Sequence, residues 1–199
     1  MMEYFVLSIG WILFYGTHTL LAALNIKRKF RAIMGRRYIW YRMLYSLWST
    51  MLILAIFIYA ATLSPVWLWQ QGDLGTYLGF MLAAFGTILA VKSLKGIELF
   101  RFIGFRPHDD LKEKDSLTTN GLYHYIRHPL YAGLILIFFG FFLYIPNLAS
   151  LVHLLALLVY LPVGIYFEEK KLIQLYGEEY SSYRRHVPPI FPKFTLWKK

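Results

Sequence analysis

The sequence has no cysteine, and this absence removes several kinds of site at once. Without a thiol, the chain forms no disulfide, no thiolate zinc site, no covalent haem attachment and no cysteine nucleophile. Charged residues are also scarce, at 16% of 199 residues, whereas 58% are hydrophobic and 19% are aromatic. With a mean hydropathy of +0.47, this composition excludes an ordinary soluble domain.

Signatures of nucleotide binding are missing too. The sequence contains no G-x-G-x-x-G turn after a strand and no G-x-x-x-x-G-K-[ST] loop, so it gives no support to a dinucleotide-binding or P-loop fold. The net charge of +10 would suit nucleic acid, but apolar runs of membrane length separate the basic segments. We therefore expect a lipid bilayer as the partner of the basic segments, and no nucleic acid.

Three long apolar runs predict membrane-spanning helices. Crossing a hydrocarbon core of about 30 Å takes roughly 20 helical residues at about 1.5 Å per residue. The runs at 4–24, 43–63 and 74–91 are close to this length and contain no Lys, Arg, Asp or Glu. Each is therefore predicted to cross the membrane.

A fourth apolar block, residues 130–167, is also free of acidic and basic residues. It is interrupted by Ile145-Pro146-Asn147, where proline removes a helix donor and favours a turn. We interpret it as a helical hairpin with arms at 130–144 and 148–167, the first of them short for a full crossing. The prediction is one all-α membrane domain over 1–199, with five spans and a cytosolic amphipathic helical tail.

The basic residues predict the orientation of these spans. Segments 27–42, 92–127 and 170–199 hold seven Lys or Arg residues each, which accounts for all 21, and the opposite loops carry only Glu3 and Asp73. Cytoplasmic loops are the ones enriched in Lys and Arg. We therefore expect the N-terminus outside and the C-terminus in the cytoplasm.

The first candidate site lies just before the hairpin, in Gly121-Leu122-Tyr123-His124-Tyr125-Ile126-Arg127-His128-Pro129-Leu130-Tyr131-Ala132-Gly133. Proline is favoured in a first helical turn, which places Arg127 and His128 at a helix N-terminus that favours an anion. Gly133 follows Tyr131 and would allow close approach of a flat group. The alternative is that Arg127 and His128 only reach the membrane interface and that Pro129 only starts the helix.

The second candidate site is the carboxylate pair Glu168-Glu169 after the last apolar run. Ionisable residues at this depth are costly unless they face a wet cavity and meet positive charge, so they predict a functional site. At 100° per residue, one helix face carries Glu169 with three phenols, those of Tyr176, Tyr180 and Tyr183. Such a face would suit a cationic ligand.

The tail after this pair has two interpretations. Gly177 is a plausible C-terminal cap, which would put Glu178 and Glu179 in the first turn of another helix. Alternatively, the whole tail is an amphipathic helix at the membrane interface.

Two histidines, His18 and His153, fall inside predicted spans. Neither has a second metal-binding residue type at i+3 or i+4, so we expect both to be packed and hydrogen-bonded. No metal site is predicted.

Taken in order, these segments resemble the integral-membrane methyltransferases typified by isoprenylcysteine carboxyl methyltransferase. The shared pattern is Gly-Leu-Tyr, Arg-His-Pro-x-Tyr-x-Gly, a proline-containing hairpin, Glu-Glu and Tyr-Gly-x-x-Tyr-x-x-Tyr, over about 121–192. Segments 102–106, 168–172 and 184–188 are similar to a bacterial branch. That branch includes methanethiol S-methyltransferase and proteins associated with nitrite and nitric-oxide reductase clusters.

The resemblance implies S-adenosylmethionine bound at the cytosolic side. The residues that carry the family's motif would bind it: Tyr123, Arg127, His128, Pro129, Tyr131, Gly133, Glu168 and Glu169. Arg127 or His128 can take the methionine carboxylate, a glutamate can take the ribose hydroxyls or the amino group, and tyrosine faces can border the sulfonium.

The resemblance does not by itself name the methyl acceptor. We expect methyl transfer to a thiol, or to a carboxylate of a small or lipid-like acceptor, in a bacterial or archaeal inner membrane. The predicted catalytic residues are Arg184, which would hold an anionic acceptor, and Glu169.

Two other functions stay open at this point. Sterol reductases are similar to this family in their C-terminal membrane fold and use a nicotinamide cofactor, although they carry additional spans. A non-catalytic membrane protein, with Glu168-Glu169 as an ion or proton site, is the third possibility.

Overall fold

The part of the chain that the structure describes is helical. The computed structural model describes residues 1–95, 100, 103–107, 109, 111 and 116–192. Phe102 of the predicted segment 102–106 lies outside these residues, as do residues 193–199 of the predicted domain. No β-strand occurs among the described residues, and an isolated bridge pairs Trp67 with Asn147.

The helices follow the apolar runs of the sequence. In chain order, the described helices are α1 (Met2–Ala22), α2 (Leu24–Met34), α3 (Tyr41–Thr62), α4 (Asp73–Ser93), α5 (Pro129–Tyr144), α6 (Leu148–Tyr176) and α7 (Glu178–His186). Short 3₁₀ turns at Gly35–Trp40 and Gly121–His124 precede α3 and α5.

Several of these helices are long and apolar enough to cross a membrane. Within the described ranges they are Met2–Ala22, Leu24–Thr62 (α2 to α3), Asp73–Ser93 and Leu148–Tyr176. Helix α5 is apolar but has 16 residues, or about 24 Å of helix. The prediction of an all-helical, multi-pass membrane protein is confirmed by these helices, whereas a crossing by α5 stays a prediction.

The break between α5 and α6 lies where the proline predicted it. Asn147 caps α6: its side chain accepts from the Ser150 backbone N–H at 2.9 Å, and the Ser150 hydroxyl accepts from the Asn147 N–H at 3.3 Å. The predicted apolar arm at 148–167 lies within α6, which continues past the apolar run to Tyr176. Its last nine residues include Glu, Lys, Leu and Gln, which are good helix formers, so the helix extends past the apolar run.

Helices α4 and α5 pack at backbone contact through paired glycines. A Cβ at Gly86 would lie 2.6 Å from the Gly133 carbonyl oxygen, and a Cβ at Gly79 would lie 2.7 Å from the Gly140 carbonyl oxygen. Small residues let helix backbones approach closely in membranes, where no hydrophobic effect drives association. This contact fixes the position of α5, whose first residues belong to the candidate site.

Gly86→Ala is therefore expected to lower the thermal stability. The added methyl group would force the two helix backbones apart, and overpacking of this kind costs about 1–3 kcal/mol. Gly16→Ala is the matched control, because no described atom lies within 4 Å of its Cβ. Thermal unfolding in detergent measures both variants, and equal melting temperatures would contradict the close contact.

A second packing unit joins α1, α3 and α6. Its buried side chains are Tyr4, Leu7, Trp11, Phe14, Ile56 and Ala149. Trp11 donates its indole N–H to His153 Nδ1 at 2.8 Å, and His153 is 2% exposed. The expectation that His153 is packed and hydrogen-bonded is confirmed.

Candidate functional site

The segment after α6 folds back onto the start of α5. Gly177 ends α6 with a φ of +59°, in the left-handed region that favours glycine, and α7 begins at the next residue. After α7, the carbonyls of Pro188 and Pro189 accept from the backbone N–H groups of Arg127 and His128, both at 2.9 Å. The two predicted sites are thereby held against each other.

Gly177 also changes the tyrosine face that helical periodicity predicted. Because the helix ends there, Tyr176 belongs to α6, whereas Tyr180 and Tyr183 belong to α7. The expectation of one continuous helix face with three phenols is wrong, since the left-handed residue changes the chain direction. The expectation of a cap at Gly177 with a new helix behind it is confirmed.

Glu169 is the centre of a buried ion-pair cluster. Its Oε1 lies 2.8 Å from Arg127 Nε and 2.6 Å from Arg127 Nη2, and its Oε2 lies 2.9 Å from Arg184 Nε. The side chains of Glu169 and Arg127 are 6% and 8% exposed. A buried carboxylate is tolerated when it is paired and hydrogen-bonded in this way.

Arg127 also ties this cluster to the tail. Its Nη1 donates to the carbonyl of Arg184 at 3.0 Å and to the carbonyl of Val187. The guanidinium is thus occupied by protein groups, so Arg127 holds α6 and the tail together and has little left for a ligand carboxylate. Arg184 differs, because its side chain is 49% exposed and the described contacts involve only its Nε.

His128 lies between the two carboxylates. Its Nε2 is 3.2 Å from Glu169 Oε1, and its Nδ1 is 3.4 Å from Glu168 Oε2. The ring is buried and stacks on Tyr131, with centroids 5.4 Å apart and an interplanar angle of 15°. A single imidazole of the Arg-His-Pro-x-Tyr motif therefore contacts both carboxylates of the Glu-Glu pair.

Two buried polar atoms at this cluster make no well-formed hydrogen bond within the described residues, although one of them, Glu168 Oε2, lies 3.4 Å from His128 Nδ1 and its carboxylate interacts with the Tyr131 hydroxyl. They are Glu168 Oε2 and the hydroxyl of Tyr180. Tyr180 is 1% exposed, and it interacts electrostatically with Glu169, Arg127 and Glu168. Unsatisfied polar atoms are expensive in a protein interior, so this acceptor and this donor are candidate contacts for a polar ligand.

Tyr123 and Tyr183 connect the tail to the turn before α5. The Tyr183 hydroxyl donates to the Tyr123 carbonyl, and the Tyr123 hydroxyl donates to the carbonyl of Ser93 at the end of α4. Burial raises the pKa of Tyr183 to about 12 and also raises the pKa of Tyr123 and Tyr180. All three phenols therefore stay neutral donors at physiological pH.

A raised pKa makes the stability contribution of Tyr183 depend on pH. Its neutral form is favoured in the folded state, so the contribution is complete below the unfolded pKa of about 10 and is lost as pH rises towards 12. We expect the melting temperature of the wild type to fall more steeply between these pH values than that of Tyr183→Phe. Parallel curves for the two proteins would contradict this role of the phenol.

The structure places most of the predicted site residues together. The contacts above join Tyr123, Arg127, His128, Tyr131, Glu168, Glu169 and Arg184. Pro129 occupies the first position of α5 and is buried. Gly133 lies apart from this group, because its Cα faces the Gly86 carbonyl on α4, and its lack of a side chain serves helix packing.

Sequence reasoning missed a second polar group, which lies inside the bundle. The phenols of Tyr45 and Tyr160 and the hydroxyl of Thr19 lie within apolar helices and hydrogen-bond across them. Their signal in the sequence is weak, since tyrosine and threonine are common in membrane helices. They became recognisable once α1, α3 and α6 were packed against one another.

The family follows from comparison with known proteins. A family model described as phospholipid methyltransferase matches residues 74–179, more than half of the chain. The chain belongs to this family. The matched residues run from α4 through both predicted sites into α7, and membership confirms the superfamily resemblance that the motifs indicated.

The similar curated proteins carry methyltransferase names. Methanethiol S-methyltransferase of Crocosphaera subtropica is 34% identical over 131 residues, covering 63% of this chain and 51% of that protein. Methanethiol S-methyltransferase 2 of Bradyrhizobium diazoefficiens is 30% identical over 159 residues, covering 76% and 60%. Protein-S-isoprenylcysteine O-methyltransferase of Schizosaccharomyces pombe is 35% identical over 83 residues, covering 41% and 35%.

This chain spans 51% to 60% of the length of these two bacterial relatives. No solved structure matches the chain significantly.

Proposed function

We propose that this protein is a membrane methyltransferase that uses S-adenosylmethionine. The cofactor site is the carboxylate cluster of α6, which we define as Glu168 and Glu169 with their partners Arg127, His128 and Arg184. The observation that carries the proposal is a pair of buried atoms with unused hydrogen-bonding capacity, Glu168 Oε2, whose contact with His128 is long at 3.4 Å, and the Tyr180 hydroxyl, which has no hydrogen-bond partner within the described residues. The cofactor presents amino and ribose hydroxyl donors, and also carboxylate and adenine acceptors. A weakly paired acceptor and an unpaired donor in one cluster match that set.

The charges around the cluster support the same ligand. Glu168 and the face of Tyr131 offer a carboxylate and an aromatic ring to a sulfonium cation. The terminal nitrogens of Arg184, with Nε held by Glu169, suit the methionine carboxylate. We therefore place Arg184 on the cofactor side of the reaction, whereas its expected role at an anionic acceptor becomes secondary.

Arg127 and His128 then act by position. Arg127 bonds Glu169 and the tail carbonyls. His128, at the N-cap of α5, contacts both carboxylates and keeps their relative position. The bound cofactor would supply a methyl group on a positively charged sulfur, and displacement at such a methyl needs alignment more than acid or base help. The buried ion pairs of Glu169 with Arg127 and Arg184 would fix the groups that provide that alignment.

A small thiol is the acceptor that we favour. The methanethiol S-methyltransferase names of the bacterial relatives support a thiol, and the isoprenylcysteine O-methyltransferase name of the yeast relative keeps a lipid-like carboxylate as the alternative. An apolar acceptor can reach a site between membrane helices from the bilayer. We further propose five crossings, including α5, with the basic segments in the cytoplasm.

The function is tested by methyl transfer in reconstituted vesicles. Wild-type protein is incubated with S-adenosylmethionine that carries an isotopically labelled methyl group. One reaction also contains a small alkyl thiol, and a second reaction contains a prenylated cysteine carboxylate instead. Label in the thioether is expected. Label only in the methyl ester would show that the acceptor is the carboxylate and not the thiol. Absence of label from both products would contradict both proposed acceptors.

A further inference from the structure

A polar cluster lies inside the bundle, on helices that are otherwise apolar. We name it the hydroxyl cluster, and it consists of Tyr15, His18 and Thr19 on α1, Tyr45 and Ser49 on α3, and Tyr160 on α6. Polar and ionisable side chains within membrane helices are costly, and they commonly mark a cavity or a pathway. The cluster contains one imidazole, that of His18.

His18 has an incomplete set of partners. The Tyr45 hydroxyl lies 2.8 Å from its Nδ1 and 2.9 Å from its Nε2, while the Ser49 hydroxyl is at 3.4 Å from Nδ1. One phenol cannot serve both ring nitrogens at once. Because neutral imidazole has one donor and one acceptor nitrogen, His18 keeps a nitrogen with at most a long contact among the described residues.

Two further contacts form one side of the cluster. Thr19 and Tyr160 hydrogen-bond through their hydroxyls at 2.9 Å, and Tyr15 stacks on Tyr160 with centroids 3.9 Å apart. All six side chains of the cluster are half-buried. The second intramembrane histidine, His153, is instead fully buried and accepts from Trp11, so the two histidines differ in access.

The hydroxyl cluster is adjacent to the carboxylate cluster. Glu168 interacts electrostatically with His18 and with Tyr160. Tyr131, which stacks on His128, interacts with Glu168, Tyr160 and Tyr45. A ligand at the hydroxyl cluster would therefore lie beside the proposed cofactor site. The cluster lies mainly on α1 and α3, whose outer faces carry exposed apolar side chains.

We infer that the hydroxyl cluster is the acceptor site and that His18 is the base that takes the proton of an acceptor thiol; this rests on the proposed function. The S–H bond breaks, the proton moves to a ring nitrogen of His18, and the bonding electron pair stays on sulfur as the nucleophilic lone pair. The proton is later released to water. A thiol of pKa about 8.5 is mostly protonated at neutral pH, so a positioned base raises the fraction of reactive thiolate.

The test compares two thiols of similar size and different acidity. Ethanethiol is a weaker acid than a cysteine thiol, whose pKa is about 8.5, so it is mainly protonated at about pH 8.5; the electron-withdrawing fluorines make 2,2,2-trifluoroethanethiol more acidic, so it is mainly thiolate. His18→Asn keeps an amide nitrogen that can bond Tyr45 but cannot take a proton. We expect this variant to lower kcat/KM for ethanethiol by about 100-fold or more, and for the fluorinated thiol by less than about 5-fold, because the fluorinated thiol needs no base.

Two readouts are independent of turnover. Calorimetric affinity for S-adenosylhomocysteine is expected to be unchanged in His18→Asn. Ethanethiol added to the wild type with S-adenosylhomocysteine bound should give the ultraviolet difference absorbance of a thiolate, and the variant should not. His153→Gln retains an acceptor for Trp11 and is the control expected to match the wild type in all of these measurements.

The outcomes separate this inference from the function on which it rests. Equal losses for both thiols, or no loss for either, would overturn His18 as the base, and loss of S-adenosylhomocysteine affinity in His18→Asn would place His18 outside an acceptor site. A wild type that binds S-adenosylhomocysteine but methylates neither thiol would overturn the acceptor site alone. A folded wild type that does not bind it would overturn the cofactor site first.

Discussion

Glu169→Gln is expected to produce the largest loss of stability among single substitutions at the site. The variant removes the charge that faces Arg127, Arg184 and His128, and it leaves the guanidinium of Arg127 buried without its counter-ion. Breaking a buried ion pair by removing one partner costs about 3–5 kcal/mol. The free energy of unfolding, measured in mixed detergent micelles, is expected to fall by this amount.

The exposed pair on α7 supplies the matched control for this loss. Glu178 lies 2.6 Å from Arg185, but the two side chains are 77% and 61% exposed. An exposed pair contributes about 0.2–1 kcal/mol, so Glu178→Gln should change stability little. If both glutamine variants lost the same small amount, the Glu169 cluster would not hold the tail in place.

Glu168→Gln is expected to have the opposite profile, with a large loss of cofactor affinity and little loss of stability. The Glu168 side chain is 42% exposed, and its Oε2 contacts His128 Nδ1 only at 3.4 Å, which is longer than the contacts of Glu169 with the two arginines, so the folded protein depends on it less. A charge-assisted hydrogen bond to the cofactor contributes about 1.5–3 kcal/mol. We expect S-adenosylhomocysteine to bind about 10- to 100-fold more weakly.

Two companion variants sharpen the Glu168 experiment. Tyr180→Phe removes the hydroxyl that has no hydrogen-bond partner within the described residues and should weaken the same ligand while preserving the aromatic packing. Glu179→Gln changes an exposed carboxylate and should leave affinity unchanged. Full affinity in Glu168→Gln would remove this residue from the cofactor site, and a fall in stability equal to that of Glu169→Gln would show that the two carboxylates share one structural role.

Much of the fold could be predicted from the sequence, because apolar length alone decides where a membrane helix can lie. The hairpin break at Pro146 follows from the missing proline donor, and the cap at Gly177 from its left-handed backbone. Hydropathy alone does not show that α6 extends past the apolar run at 167; its end was predicted from Gly177 instead. Residues 168–176 are polar enough to leave the bilayer but are still good helix formers.

The sequence predicts which residues form the candidate site better than it predicts their contacts. The motifs brought Arg127, His128, Glu168 and Glu169 into consideration, but the division of labour between the carboxylates required coordinates. The hydrogen-bond donors of Arg127 are used by Glu169 and by tail carbonyls, because the tail at Pro188 and Pro189 folds back onto the start of α5. This contact joins residues far apart in the chain, so the local sequence does not predict it. The role of Gly133 depended likewise on its partner Gly86.

The hydroxyl cluster shows why the other side of the site could not be predicted. His18, Tyr45 and Tyr160 are separated by many residues and lie on three helices. Each is unremarkable in its own span, since a single polar residue in a membrane helix can be packed and bonded. Only the packing of α1 and α3 with α6 places them beside one another and beside Glu168.

The most direct test of the central claim is calorimetric titration of the folded, detergent-purified wild type with S-adenosylhomocysteine, with Glu168→Gln in parallel. The account predicts saturable binding at one site per chain in the wild type and markedly weaker binding in the variant. Absence of binding by folded wild-type protein would contradict it. A nicotinamide dinucleotide that bound in place of S-adenosylhomocysteine would support the reductase alternative.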